Sequence, residues 1–392
     1  MIQTSSIAGL HAATAELDPP LAALDLSVLR ANAADLVRRA RGVPVRVASK
    51  SVRCRAVLAE VLGTDLTAAG GFAGIMSYSL REAIWLVRHG ARDVLLGYPT
   101  VDRAALAELA ADDILLRSIT LMVDDAAQLD LIRAAAGTDR VRPRICLDVD
   151  ASLRIGPLHL GVRRSPLRTP QQAATLASAA LRRGFAVVGV MTYEAQLAGL
   201  ADTNIAVRLM KRASATEITK RRAQVLDAVR SVTGPLEIVN SGGTGSIEIS
   251  TADPDVTEVT AGSGLYVPTL FDRYRSFTPR PALFFALPVQ RRPTSKIATV
   301  FGGGYIASGP AGPARVPKPV WPSGLKLLGA EGAGEVQTPL SGAAQLRIGD
   351  RVWFRHAKAG EMCERFDTVY LVDTDGSRIG VPTYRGEGVC FG

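Results

Sequence analysis

Lys50 ends an apolar run, VPVRVASK, just ahead of a stretch with helical spacing that begins near Val52. An amine flanked by buried walls has a lowered pKa, and its neutral form can attack an aldehyde carbon. A second motif, Asn240-Ser241-Gly242-Gly243-Thr244-Gly245-Ser246, follows the run LEIV directly. Glycines there let successive backbone N–H groups point inward as a nest for an anion such as phosphate. A helix starting near Ser246 would add its positive end. A further glycine pair, Gly262 and Gly264, follows the next apolar run. Each feature alone reads as a surface lysine or a tight turn. Together, at successive strand ends, they point to an amine and a phosphate cradle in one site.

The elements that must position these residues alternate. From about residue 20 to 266, short β-branched runs precede longer stretches of helical spacing: ALDLSV, VPVRVA, GIMSYS, DVLLGYP, ITLMVDD, PRICLDVD, AVVGVMTYEA and LEIV, with VTEVTAG after them. Strands alternating with helices imply parallel pairing. About eight such units predict an α/β fold, a (β/α)8 TIM-type barrel over residues 22–270; a doubly wound open sheet is the alternative. In such a barrel catalytic groups sit at the C-terminal ends of the strands, and phosphate is held after strands 7 and 8. Beyond residue 270 helical spacing fades and Pro and Gly rise, predicting a mostly antiparallel β domain over residues 271–392. The Gly/Pro stretch 302–324 reads as a long loop, a class often functional. Residues 1–21 form an N-terminal segment expected to pack with the β domain.

This order of features resembles the fold-type III pyridoxal-phosphate enzymes. Within them it resembles the D-threonine aldolase and D-serine dehydratase branch of the alanine racemase-like superfamily, and specifically the bacterial amino acid deaminase/aldolases, from about residue 22 to the C-terminus. The segment Arg46-Val47-Ala48-Ser49-Lys50 is similar to the family's Arg-Pro-His-x-Lys, keeping the Arg and the Lys. Asn240, Ser241, Gly242, Gly243, Thr244 and Gly245 resemble its phosphate loop, and Gly262, Ser263, Gly264 and Tyr266 the segment completing that loop. Tyr193 and Gln196 stand in a strand that resembles the family's cofactor-facing Tyr and following Gln. Asp148 to Gly156 is similar to an Asp-x-Gly-x-x-Arg-x-Gly turn, one residue off in spacing, so that Arg154 or Arg163 is the counterpart of its arginine. The resemblance implies pyridoxal 5'-phosphate on Lys50, with Tyr193 or His356 handling a proton at the substrate side chain.

It also raises a divalent metal. Related enzymes hold one with His-x-Asp or His-x-Cys in the C-terminal domain. Here His356 is present, but Lys358 occupies the second position, and a protonated lysine repels a cation. Cys363 or Glu361 could substitute if the loop folds back. The reaction implied is a lyase reaction on a β-hydroxy, D-configured amino acid, by retro-aldol cleavage or by dehydration and deamination. The alternatives are a racemase, with Tyr274 or Tyr305 as second acid, and a non-catalytic pyridoxal-phosphate-binding protein. A head-to-tail homodimer is also implied.

Composition narrows the classes. The chain has 392 residues, 47% of them hydrophobic, enough for a core in more than one domain. Cys54, Cys146, Cys363 and Cys390 are scattered, which fits a reducing cytoplasm rather than a disulfide framework. No signal peptide and no apolar stretch of membrane-spanning length are evident. The net charge of +9 comes in short basic pairs without interleaved aromatics, so a nucleic-acid partner is not expected.

Overall fold

The computed structural model describes residues 2–136, 142–202 and 204–392. Eight parallel strands close into a barrel. In chain order they are Val45–Ala48, Phe72–Ser77, Val94–Leu96, Ile119–Val123, Arg144–Asp148, Ala186–Thr192, Ile238–Ser241 and Glu258–Ala261, the last pairing with the first. The interstrand helices carry the stop and start signals their sequences encode. Ser79 accepts from the Glu82 N–H, Asp102 from the Ala105 N–H, and Thr169 forms a reciprocal capping box with Gln172 ahead of Pro170. Leu, Val and Ala from these helices and from the strands make one continuous buried core.

The strand expected to open the barrel belongs elsewhere. Leu21–Asp25 pairs antiparallel with Leu283–Ala286 and parallel with Val369–Val372, in the middle of the second domain's sheet. The barrel's eighth strand is instead Glu258–Ala261. An apolar strand followed by a helix looks the same in sequence whichever sheet it joins, so alternation alone miscounts by one at the first strand. The helix Ile2–Ala13 packs beside it, with Ile7 and Leu10 against Phe284 and Trp353.

The second domain is a nine-stranded, mostly antiparallel sheet. Its long strand, Leu283–Thr294, pairs with both Leu21–Asp25 and Arg351–Arg355 and stacks Phe285 on Phe354 with ring centroids 5.3 Å apart. Two of its loops reach the barrel mouth. One is the Gly/Pro segment, which contains the short turn Pro313–Arg315 and the strand Lys318–Trp321. The other follows Arg351–Arg355. At Gly360, φ is 94° and a Cβ would overlap the Lys50 carbonyl oxygen, so only glycine permits this loop to lie on the lysine's backbone.

Candidate active site

All parallel strands of a barrel end at one rim, and the loops leaving that rim here surround a single cavity. Lys50 enters it from a 3-10 turn, Ser49–Ser51, directly after Val45–Ala48. Its backbone is fixed from outside: Arg53 Nε donates to the Lys50 carbonyl at 3.1 Å, while Arg53 is itself paired with Glu364 at 2.8 Å. Its Nζ donates to the Tyr98 hydroxyl at 2.5 Å. Tyr98 follows the strand Val94–Leu96, and Tyr193 follows Ala186–Thr192. The Arg164 guanidinium lies between their rings, 5.5 Å from the Tyr98 centroid and 5.3 Å from that of Tyr193. Burial raises the Tyr98 phenol, but Lys50, its hydrogen bond and Arg164 together hold it below its ordinary value. For Tyr193 burial prevails, and its phenol is raised despite the pull of Lys50 and Arg164.

The far wall is made of backbone. Gly242, Gly243 and Thr244 leave the strand Ile238–Ser241, and Gly262 and Ser263 leave Glu258–Ala261. Among the described residues, the N–H groups of Gly243, Thr244, Gly262 and Ser263 meet no protein acceptor. A Cβ at Gly262 would lie 2.5 Å from the Ala48 carbonyl oxygen, and one at Gly243 would lie 2.8 Å from the Ala198 methyl. Thr244 Oγ1 accepts from the Gly264 N–H at 3.0 Å and from the Ser263 hydroxyl at 3.1 Å, which ties the two loops together. The one-turn helices that follow, Ile247–Ser250 and Ser263–Tyr266, are too short for a dipole argument, so the open N–H groups carry the anion preference. Lys50, Arg164, Arg315 and Lys358 line the cavity, and no Asp or Glu among the described residues does. An amine facing N–H groups that have no protein acceptor fits one ligand bearing an aldehyde and a phosphate.

Other residues singled out in the sequence fall outside the cavity wall. Arg46 lies at the opposite end of the barrel, buried between Glu258 at 2.6 Å and Asp93 at 2.9 Å. Arg154 sits on a small hairpin, Leu153–Leu160, bound to Asp150 at 2.7 Å, and Arg163 is exposed. Gln196 is buried and donates to the Ala151 carbonyl and the Ser214 hydroxyl. Ser241 donates to Glu194 at 3.0 Å behind the phosphate-type loop. Gly245 packs on Ala198 and the Tyr274 ring. Gly264 gives the two loops their close approach, and Tyr266 is fully buried with its hydroxyl on the Val52 carbonyl. Asn240 does reach the cavity, oriented by Nδ2 bonds to Glu258 and Thr260.

His356 is buried with neither ring nitrogen hydrogen-bonded, and it faces a neighbouring cleft rather than the Lys50 cavity; Lys358 lies in both walls. Burial, then Arg355, push the imidazole down to about 3. Cys363 is buried beside Tyr266, and burial pushes its thiol well up, the opposite of what a thiolate ligand needs. Among the described residues no three His, Cys, Asp or Glu side chains converge to hold a metal. The described side chains around His356 thus bring no such set together.

Sequence reasoning passed over Tyr98, Arg164, Arg315 and Lys358 as cavity residues. Tyr98 carries the same signal as Lys50, a position just past a strand end. Arg164 adjoins Arg163 in a loop whose register only the hairpin fixes.

With this geometry, comparison with known proteins becomes specific. The family described as alanine racemase, N-terminal domain, matches residues 24–269. The chain belongs to that family. Its fold is also that of a solved D-threonine aldolase from Filomicrobium marinum, with 21% identity, a TM-score of 0.79, and 95% of this chain and 96% of that chain covered. D-threo-3-hydroxyaspartate dehydratase from Delftia sp. HT23 gives 21% identity and a TM-score of 0.74 over 94% of this chain and 97% of that chain. Alanine racemase from Corynebacterium glutamicum gives 16% identity and 0.61 over 86% and 90%. No curated protein matches the chain in sequence. Among the described residues no helix is long and apolar enough to cross a membrane.

Proposed function

We propose that this protein is a pyridoxal-phosphate-dependent lyase acting on a β-hydroxy, D-configured amino acid, by retro-aldol cleavage or by dehydration and deamination. The observation that carries this reading is Lys50 facing the open N–H groups of Gly243, Thr244, Gly262 and Ser263 across one cavity. Solved structures of a D-threonine aldolase and a D-3-hydroxyaspartate dehydratase share the fold over nearly the whole chain, which supports the same choice.

The residues fit the cofactor, with Lys50 to engage its aldehyde and the glycine loops to hold its phosphate. Pyridoxal phosphate, when bound, supplies an electron sink for the bond broken at the substrate's Cα. The chain's own groups do the rest. Lys50 Nζ and Tyr98 Oη, 2.5 Å apart in the cavity wall, are placed to exchange a proton. Arg164 holds positive charge over the two phenol rings. Two loops of the β domain add Arg315 and Lys358 to the cavity wall.

Purified protein supplied with pyridoxal phosphate should show a visible absorption band that Lys50→Ala abolishes. Borohydride reduction should fix the cofactor's mass on the peptide containing Lys50. A panel of D- and L-amino acids scored for aldehyde, ketoacid and ammonia then separates cleavage from deamination. A wild-type protein that stays colourless and takes up no cofactor would overturn the reading.

A further inference from the structure

Besides Lys50, three cations line the cavity: Arg164 from the barrel, and Arg315 and Lys358 from the β domain. Among the described residues none of the three is ion-paired. The Arg164 guanidinium lies over aromatic rings. Arg315 donates through Nη1 only to its neighbour's carbonyl, at 3.3 Å, and its Nε is buried without an acceptor. Lys358 Nζ reaches only the Ser308 hydroxyl, at 3.4 Å. Glu361, whose charge acts on Lys358, accepts from the Ser308 N–H and makes no ion pair with the lysine.

The backbone brings the two β-domain cations together. The Ala307 N–H donates to the Arg315 carbonyl at 2.8 Å, and the adjacent Ser308 meets Lys358. The segment 307–308 thus holds the Arg315 backbone and meets the Lys358 side chain on one side of the mouth. Two half-buried, neighbouring positive charges without an ion-pair partner repel one another, and an anionic ligand between them relieves that repulsion. An ordinary amino acid brings one carboxylate, and Arg164 on the barrel side is enough for it. The phosphate is served by backbone. Arg315 and Lys358 are then surplus to a neutral side chain.

We infer that Arg315 and Lys358 form a receptor for a second acidic group, so that the substrate is a β-hydroxy amino acid with an acidic side chain. This rests on the pyridoxal-phosphate reading above for the remainder of the substrate.

The test titrates the holoprotein with serine, threonine and the 3-hydroxyaspartate isomers, each enantiomer separately, following the visible absorption. The dicarboxylate of the accepted configuration should bind roughly tenfold or more tighter than either neutral amino acid. Lys358→Gln and Arg315→Gln should each cut that ratio by about fivefold or more, while Lys358→Arg, which keeps the charge, should retain most of it. A wild-type ratio near unity, or a ratio unchanged in both glutamine variants, overturns the inference. A second readout needs no cofactor: in phosphate buffer, malate should raise the melting temperature of the wild type more than lactate does, and the glutamine variants should lose the difference. Equal shifts by malate and lactate also overturn it. If the protein takes up no pyridoxal phosphate, the cofactor reading falls, and malate against lactate still decides the anion receptor.

Discussion

At the scale of single residues, the contact that most shapes the chemistry is the hydrogen bond between Lys50 Nζ and Tyr98 Oη, 2.5 Å long. It gives the amine a partner that can take or return a proton, and the lysine and Arg164 hold the phenol below its ordinary value against the effect of burial. Tyr98→Phe keeps the ring beneath Arg164 and removes only the oxygen. The variant should still take up cofactor, because the glycine loops and Lys50 are untouched. Its turnover number should fall about 100-fold, the lower range for loss of a positioned acid–base group, with a smaller change in KM. Any limb that Tyr98 contributes to the pH–rate profile should vanish in the variant. An unchanged profile would remove Tyr98 from the proton path.

At the scale of elements, the site depends on how closely strand ends approach one another. Gly262 shows this best. A methyl group there meets the Ala48 carbonyl oxygen at 2.5 Å, as well as Ala48 Cβ and Ser51 Cβ at 3.0 Å, all at the base of the turn that carries Lys50. Gly262→Ala must push the cradle and the lysine turn apart. Overpacking of this kind costs about 1–3 kcal/mol, and cofactor affinity should drop by about tenfold or more while the far-ultraviolet dichroism stays that of the wild type. Fluorescence titration of the apoprotein with pyridoxal phosphate measures it; wild-type affinity would show that the two loops move independently. The same elements separate what is legible in the sequence from what is not. Lys50 and the NSGGTG loop are legible because strand-end position and glycine spacing are local properties. Arg164 is not, because its aim is set by a hairpin that pairs Leu153 with Leu160, and Arg154 and Arg163 fit the sequence spacing as well. Nor is the role of Arg46: its pairing with Glu258, 212 residues away, exists only once the barrel closes. His356 and Cys363 lie seven residues apart in sequence, yet the turn between them follows the Lys50 backbone through Gly360 rather than folding into a ligand set.

At the scale of the whole molecule, burying acids near the barrel rim links stability to pH. Asp148 ends the strand Arg144–Asp148, next to Asp124 at the end of the adjacent strand. Burial first, then the neighbouring Asp124 charge, raise Asp148 to about 7, with Arg164 pulling the other way. Glu82, buried under the hydroxyl of Tyr384, is likewise raised to about 7 by burial. Both start from ordinary carboxylate values when the chain unfolds, so between about pH 4 and 7 the folded protein holds protons that the unfolded chain releases. Stability contributed by these groups is therefore intact below about pH 4, declines as pH rises, and levels off above about 7. His356 works in the opposite sense. It is neutral when folded and ordinary when unfolded, so it adds stability as pH rises toward 6.5. The total curve mixes these signs, and a difference between two proteins separates them. Asp148→Asn cannot ionise, so its stability relative to the wild type should grow from about pH 4 to 7 by up to about 4 kcal/mol, because each tenfold change in proton affinity is worth about 1.36 kcal/mol. Urea unfolding of both proteins across that interval measures the difference. A difference that stays constant with pH would mean that Asp148 is ionised throughout and is compensated by Arg164, which would tie that arginine's charge to the barrel and leave less of it for a substrate carboxylate.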